Sequence, residues 1–310
     1  MKEILKLKDV SKEYGVKGFR TRVLNKINFT VNEGDFISIM GPSGAGKTTL
    51  LRMISGLTMP SSGEIDLFNE TSSNGLNKAR MRTGSIIETP SFFSYLSARK
   101  NLEYYRIQRG IAEKDSINYA LKIVGLNDTG NKKFKNFSLG MKQRLGLALT
   151  IMSNPDMLIL DEPINGLDPT GIVEFREILL KLNRERNTTI LISSHILSEL
   201  SQLATTYGFI HNGVFIEQVS SKELGDKCRK ALAIKVNDTA KAAAIIERDL
   251  GSSEYEILND NEIRVYDLID VPEKVSKVLI NNNIMLYSMS SEGVNLENYF
   301  IDLIGGGHNA

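Results

Sequence analysis

Apolar and polar positions alternate in the first part of the chain, around residues 5–10 and 26–31. A period of two is typical of strands in an antiparallel sheet with one face in solvent. Residues 36–40 form a continuous apolar run instead, and residues 48–55 carry a helical pattern. A short continuous run indicates a strand buried on both faces. The pattern therefore predicts an antiparallel sheet, followed by a buried strand that leads into a helix.

The middle of the chain changes to helical periodicity. From about residue 94 to residue 150, apolar residues recur at three- and four-residue spacing, which indicates amphipathic helices. Two short apolar runs follow at residues 157–160 and 189–193, with a helical segment at 173–186 between them. Strands that alternate with helices in this way form parallel sheets. We therefore expect an α/β domain over residues 1–220, with a helical insert at about 94–150.

A second unit is expected after residues 220–230, where the pattern changes again. Strands and helices follow in the order βαββαβ with one further helix, and Asn259, Asp260 and Asn261 provide turn residues for a hairpin. This order is typical of a ferredoxin-like split fold. We predict a small α+β accessory domain over residues 230–304, with a frayed tail beyond it. The absence of a catalytic set of residues in this part of the sequence favours a binding, regulatory or dimer-supporting role.

A glycine-rich segment separates the buried strand at 36–40 from the helix that follows it. It consists of Gly41, Pro42, Ser43, Gly44, Ala45, Gly46, Lys47, Thr48 and Thr49. This spacing matches the phosphate-loop pattern, in which backbone amides and a helix N-terminus cradle phosphate groups. Lys47 is expected to reach the β- and γ-phosphates, Thr48 to ligate Mg²⁺ and Thr49 to donate to the α-phosphate. The segment thus predicts a P-loop site for a nucleoside triphosphate and Mg²⁺.

Two adjacent carboxylates follow the predicted strand at 157–160. In the run MLILDEP, Asp161 and Glu162 stand at the end of a buried strand, where acidic side chains are costly unless they face a cation. Asp161 is expected to hold Mg²⁺ directly or through water, and Glu162 to polarise the water that attacks the γ-phosphate. Taken alone, the run is also compatible with a strand end and a helix cap. Taken together with the phosphate loop, the run predicts a hydrolytic site.

Composition, charge and cysteine content limit the class of protein and its possible partners. Hydrophobic residues make up 41% and charged residues 24% of the 310 residues, which is the balance of a globular protein with a core of its own. The formal net charge is +1 and no lysine- or arginine-dense stripe stands out, so no nucleic-acid partner is expected. Cys228 is the only cysteine, which excludes an internal disulfide. Because no eighteen consecutive residues are apolar, we do not expect the chain itself to span a membrane.

The segment FSLGMKQRLGLAL lies about twenty residues before the two carboxylates and contains Ser138 and Gly140. With this segment in addition to the phosphate loop, the chain resembles the ATPase subunits of ATP-binding-cassette transporters, whose signature sequence is usually LSGGQ. Ser138 and Gly140 keep the hydroxyl and the glycine that can approach a phosphate at a helix N-terminus. Leu139 and Met141 depart from the usual glycine and glutamine. The resemblance implies that Ser138 and Gly140 contact ATP.

Further positions match the family in the expected order. Residues 165–168 correspond to the loop that crosses to the partner subunit, His195 to the switch histidine at the γ-phosphate, and Tyr14 to the ring that stacks on adenine. Glu88 stands where most relatives have a glutamine that ligates Mg²⁺, and a carboxylate can still do so. The segment ETPSFFSYLSARKNLEYY, which begins at Glu88, is similar to the branch of bacterial transporters for bacitracin, lantibiotics and related peptides.

The resemblance implies a head-to-tail dimer of ATPase subunits, formed by two copies or by a copy and a paralogue. Each ATP would lie between the phosphate loop of one subunit and Ser138 and Gly140 of the other. The dimer would bind a separate multi-span permease at the cytoplasmic face of the membrane. Phe92, Phe93 and Tyr95 would either contact that permease or belong to the core of the helical insert. A soluble ATPase of translation or repair, or a nucleotide-dependent sensor or regulator, remains an alternative.

Overall fold

The computed structural model describes residues 2–16, 19–87, 91–195, 203–228, 230–293 and 296–305. The chain divides into two compact units, Met1–Ser221 and Lys222–Ala310. The strands of the first unit are β1 (Glu3–Val16), β2 (Phe19–Asn32), β3 (Phe36–Met40), β4 (Ser62–Leu67), β5 (Thr83–Ile86), β6 (Met157–Asp161), β7 (Thr189–Ser194), β8 (Thr206–His211) and β9 (Val214–Ser220). Its helices are α1 (Lys47–Ile54), α2 (Ser73–Arg80), α3 (Ala98–Gln108), α4 (Ser116–Ile123), α5 (Leu139–Ile151) and α6 (Pro169–Arg186).

An antiparallel sheet of three strands, in the order β2-β1-β4, begins the first unit. In β2 the apolar residues Ile27, Phe29 and Val31 are buried, whereas Asn28 between them is exposed. This alternation is the pattern predicted from the sequence. The β1–β2 hairpin extends beyond the predicted segments, through an outer part in which most side chains are exposed, including those of Val16 and Phe19.

A six-stranded sheet in the order β5-β6-β7-β3-β8-β9 forms the centre of the first unit. Its neighbours pair in parallel except for β8 and β9, which form an antiparallel hairpin. Every residue of β3 and of β7 is buried, as expected of parallel strands covered on both faces. Because β3, β6 and β7 run in the same direction, the segments that follow them meet at one edge of the sheet.

A shared hydrophobic core holds the two sheets of the first unit together. Ile27 of β2 and Ile65 of β4 belong to the same buried cluster as Ile39 of β3 and Leu50 of α1. Helix α1 is therefore fixed against both sheets, and so is the glycine-rich loop that leads into it. The helical insert predicted at about 94–150 consists of α3, α4 and α5, with 3₁₀ turns at Asn127–Thr129 and Phe134–Asn136.

The second unit contains a separate sheet and core. Its elements are α7 (Ser221–Lys227), which begins at the boundary, β10 (Lys230–Val236), α8 (Thr239–Leu250), β11 (Tyr255–Asn259), β12 (Glu262–Val265), α9 (Pro272–Asn281), β13 (Leu286–Gly293) and α10 (Leu296–Gly305). The sheet is antiparallel in the order β11-β12-β10-β13. Helices α8 and α9 pack on it through Ile246 and Val275, against Ile234 and Ile263. Burial raises the pKa of the Cys228 thiol, which disfavours the reactive thiolate.

None of the helices in the described ranges is long and apolar enough to span a membrane.

Candidate nucleotide-binding site

The loop between β3 and α1 has the backbone that the phosphate-loop pattern requires. Gly44 and Gly46 have φ angles of +82° and +109°, in the left-handed region that other residues rarely adopt. A Cβ on Gly46 would lie 2.5 Å from Leu24 Cδ2, whereas a Cβ on Gly44 would meet nothing within 4 Å. Gly46 is therefore packed against β2, and Gly44 faces open space in which a ligand can approach the backbone.

Gly41 is packed against a neighbouring strand. A Cβ at this position would lie 2.2 Å from the Ile210 carbonyl oxygen, so Gly41 permits close packing of the loop against β8. Ala45 is also turned inward: its side chain is buried, and its amide donates to the Pro42 carbonyl at 3.1 Å. Gly41 and Ala45 therefore face the interior of the protein.

A cavity of 430 Å³ lies in front of the loop. Its walls are formed by Val23, Ser43, Gly44, Gly46, Lys47, Thr48, Thr49, Asp161 and Glu162. The structure thus brings most of the predicted phosphate-loop residues together with both carboxylates. Val23 is an addition to the predicted residues. It lies in β2 where the register shifts between the pairs Lys12–Leu24 and Glu13–Arg22, and no sequence motif marks it.

The Lys47 side chain is only 4% exposed. Its ammonium group donates to the carbonyl oxygens of Gly41 at 2.8 Å and Pro42 at 3.2 Å. Lys47 Nζ also lies 3.5 Å from Glu162 Oε1. A buried ammonium group held at the floor of an open cavity is suited to binding an anionic phosphate.

Glu162, which follows β6, contacts two other predicted site residues, Lys47 and His195. One oxygen of its carboxylate faces Lys47, and the other lies 3.0 Å from His195 Nδ1. Asn165 donates to the same oxygen at 3.3 Å. Glu162 has a φ of +44°, an unfavourable conformation for a residue with a side chain. The Glu162 carboxylate is therefore held between two basic side chains at the cavity.

Ser193 is a second residue that sequence reasoning did not identify. It pairs with Asp161 in the register of β6 and β7 and is fully buried. Its hydroxyl donates to Asp161 Oδ1 at 2.6 Å and accepts the backbone N–H of Glu162 at 2.9 Å. Only the register of two strands far apart in sequence brings these groups together, so no local pattern indicates the contact.

Ser138 and Gly140 are not among the residues that form the walls of this cavity. The Ser138 hydroxyl caps helix α5 by accepting the Met141 N–H at 3.2 Å. A Cβ on Gly140 would lie 3.8 Å from Leu167 Cδ2, and one on Gly166 would lie 3.2 Å from Leu139 Cδ2. The start of α5 therefore lies beside the predicted crossing loop at 165–168, with the Leu139 side chain exposed.

Tyr14 lies on β1, and its side chain is 41% exposed. Lys12 Nζ is 4.9 Å from the centre of the Tyr14 ring and donates to the Met59 carbonyl at 2.7 Å. Lys12 therefore contacts both the Tyr14 ring and the segment after α1. Glu88, which is predicted to ligate Mg²⁺, lies outside the described residues.

The donor set at the cavity suits Mg²⁺ bound together with a nucleotide. Thr48 and Asp161 both line the cavity and offer hydroxyl and carboxylate oxygens. Within the described ranges, no three His, Cys, Asp or Glu side chains form a metal-binding group. Mg²⁺ commonly takes one or two protein ligands and completes its shell with substrate phosphates and water.

The loop, the buried lysine and the paired carboxylates at one edge of a parallel sheet define the first unit as a phosphate-loop nucleotide-binding domain. Residues 24–165 match the sequence model of the ABC transporter family. The whole chain is 41% identical, over 307 residues and 99% of both chains, to the bacitracin transport ATP-binding protein BcrA of Bacillus licheniformis. It is 42% identical over 215 residues to the lantibiotic transport ATP-binding protein SrtF of Streptococcus pyogenes, which covers 69% of this chain and 89% of SrtF.

Solved structures agree with the sequence comparison. The dimeric ATP-binding cassette MJ0796 bound to ADP and Pi aligns with a TM-score of 0.64 at 26% identity, over 70% of this chain and 99% of that one. The chain belongs to the family of ABC transporter ATP-binding proteins. The predicted resemblance and the cassette fold of the first unit are thereby confirmed.

Proposed function

We propose that the chain hydrolyses ATP to drive a bacterial transporter that exports, or confers resistance to, bacitracin, a lantibiotic or a similar amphiphilic peptide. The similarity to BcrA supports this assignment because it extends over both units. A sensor or a translation or repair ATPase is less well supported, since both named relatives are transport proteins. In the transporter, the chain would bind a separate multi-span permease at the cytoplasmic face of the membrane.

The single observation that carries the hydrolytic part of the proposal is the position of Glu162. Its carboxylate lies at the cavity between Lys47 and His195. A carboxylate held in this way can orient a water molecule and accept its proton as that water attacks the γ-phosphate. Lys47 would stabilise charge on the β- and γ-phosphates, and His195 would contact the γ-phosphate. Mg²⁺ bound by Thr48 and Asp161 would neutralise phosphate charge.

The remaining predicted site residues are proposed to complete the ATP site of a second subunit, to stack on the adenine base or to bind Mg²⁺. Ser138 and Gly140 would complete the ATP site of a second subunit, a copy or a paralogue. Tyr14 would stack on adenine, and Glu88 would contribute to Mg²⁺ binding.

At the permease contact, Tyr95 is a better candidate than Phe92 or Phe93, because its side chain is 63% exposed whereas the two phenylalanines are half-buried among neighbouring rings.

The second unit is proposed to be a ferredoxin-like accessory domain. Its strand and helix order is βαββαβ, and its antiparallel sheet places the first and third strands, β10 and β12, at the centre. We infer a binding, regulatory or dimer-supporting role for this domain, because the sequence shows no catalytic set of residues there.

Glu162→Gln tests the proposed hydrolysis. The amide keeps the size of the side chain but cannot accept the proton, so turnover should fall on the order of 10²- to 10⁴-fold. Affinity for ATP should be retained. The measurements are steady-state phosphate release and the binding of a fluorescent ATP analogue. Glu177→Gln, an exposed substitution on α6, is the matched control and should hydrolyse ATP normally.

The transport part is tested in a bacitracin-sensitive bacterium that produces the chain with its permease. We expect the minimum inhibitory concentration of bacitracin or a lantibiotic to rise with the wild-type chain and with Glu177→Gln, but not with Glu162→Gln. Unchanged sensitivity to both classes of peptide, with ATP hydrolysis intact, would contradict the proposed substrate class.

A further inference from the structure

Ser193 is distinguished by its burial and by its position near the end of β7. It lies one residue before the end of β7 and is fully buried. The residue opposite it in β6 is Asp161, the last residue of that strand. Most buried hydroxyl groups are hydrogen-bonded, and both partners that the structure gives Ser193 belong to the proposed hydrolytic site.

The two hydrogen bonds of Ser193 have opposite directions. Its O–H donates to Asp161 Oδ1 at 2.6 Å, and its oxygen accepts the N–H of Glu162 at 2.9 Å. A serine hydroxyl has one donor and can accept at the same time, so one side chain serves both neighbours. The donated bond fixes the rotation of the Asp161 carboxylate. The accepted bond holds the peptide that leads into Glu162.

The backbone of Glu162 needs such support. Its φ of +44° is costly for a residue with a Cβ, and conformations of this kind persist only where surrounding contacts impose them. The Glu162 carboxylate must nevertheless stay between Lys47 and His195. Loss of the contact to its amide would let the peptide relax and move the carboxylate away from this position.

We propose that Ser193 is a positioning residue, which sets the Mg²⁺-binding carboxylate of Asp161 and the water-polarising carboxylate of Glu162 in a single fixed arrangement. The proposal rests on the proposed hydrolysis at this site. Ser193 itself need not touch ATP. Its removal should therefore slow the chemical step and weaken cation binding, while contacts of the phosphate loop with ATP persist.

The test compares variants of the full-length chain that keep or lose the hydroxyl. Threonine and valine have nearly the same shape, so Ser193→Thr and Ser193→Val differ mainly in the hydrogen-bonding group. We expect Ser193→Val and Ser193→Ala to lower kcat about 10- to 100-fold, with KM for ATP changed less than about threefold, and Ser193→Thr to retain most of the turnover. Ser38→Ala is the matched control. Ser38 is equally buried in β3, and its hydroxyl has no hydrogen-bond partner within the described part of the chain.

A second readout does not depend on turnover. In the Glu162→Gln background, the Mn²⁺ concentration that half-saturates binding of a fluorescent ATP analogue should rise about three- to tenfold on adding Ser193→Ala. Adding Ser38→Ala should leave it unchanged.

The outcomes separate the two proposals. Wild-type turnover of Glu162→Gln would overturn the proposed hydrolytic role. If Glu162→Gln is inactive but Ser193→Ala has wild-type kcat and cation dependence, only the positioning role of Ser193 fails. Equal losses in Ser193→Thr and Ser193→Val would also overturn it, because the hydroxyl would then not be the group that matters.

Discussion

The Lys47 ammonium group is almost fully buried and contacts two backbone carbonyls and the Glu162 carboxylate. Burial of a charged group is costly unless such partners offset the loss of hydration. These contacts hold the charge at the floor of the cavity, where phosphate oxygens would replace or join the carbonyl oxygens. A cation restrained in this way loses little side-chain freedom when an anion binds.

Lys47→Ala should weaken the affinity for ATP about tenfold or more, because a charge-assisted contact to phosphate is lost. Calorimetric titration with ATP and Mg²⁺ measures this change. Lys8→Ala is the matched control, since Lys8 pairs with Glu64 on the exposed antiparallel sheet. An ATP affinity equal to that of the wild type would show that Lys47 does not bind the phosphates.

Single residues of the site differ in how far the sequence predicts them. The phosphate loop and the two carboxylates follow fixed local patterns, and the structure places Lys47, Asp161 and Glu162 at one cavity. Ser193 reaches that site only through the register of β6 and β7. Val23 does so through an irregularity of the β1–β2 pairing. Contacts set by pairing between distant strands leave no local signature, so a single sequence does not reveal them.

At the scale of secondary structure, the β3–loop–α1 segment is the element that forms the anion site. The loop has little freedom, because Gly41 packs on β8 and Gly46 packs on β2. Its rigidity follows from the core that fixes α1 against both sheets. The segment is therefore held in a nearly constant shape by packing outside the cavity.

Gly46→Ala should destabilise the protein more than Gly44→Ala. Both changes place a Cβ on a left-handed residue, at a cost of about 1–2 kcal/mol. Only the alanine at position 46 also collides with Leu24, at 2.5 Å, which adds about 1–3 kcal/mol. Thermal unfolding without nucleotide measures the difference. Equal melting temperatures for the two variants would contradict the packing of Gly46 against β2.

The elements predicted best are those with a strong periodic signal. Continuous apolar runs correctly mark β3, β6 and β7. Strand β5 is not predicted, because it has only four residues, TGSI, and lies at the edge of the sheet. The β8–β9 hairpin is also not predicted, although Asn212 and Gly213 between its strands have the positive φ angles of a two-residue turn. This turn has an Asn-Gly signal that the apolar pattern alone does not use.

At the scale of the whole molecule, the residues proposed to bind ATP lie in two different places on the chain. The phosphate loop and carboxylates line the cavity, whereas Ser138 and Gly140 lie at the start of α5 beside the loop at 165–168. This separation supports the proposal that a second subunit completes each site. An isologous dimer would then contain two composite sites, related by its twofold axis.

The most direct measurement of this central claim is the ATPase activity of a mixed dimer of Lys47→Ala and Ser138→Ala chains, purified through two different tags. Each variant alone should be inactive, because both of its sites lack one half. In the mixed dimer, shared sites leave one site with an intact phosphate loop and an intact signature, so we predict roughly half of the wild-type turnover per dimer. Sites contained within single chains would leave none intact. A mixed dimer as inactive as its parent variants would contradict the account.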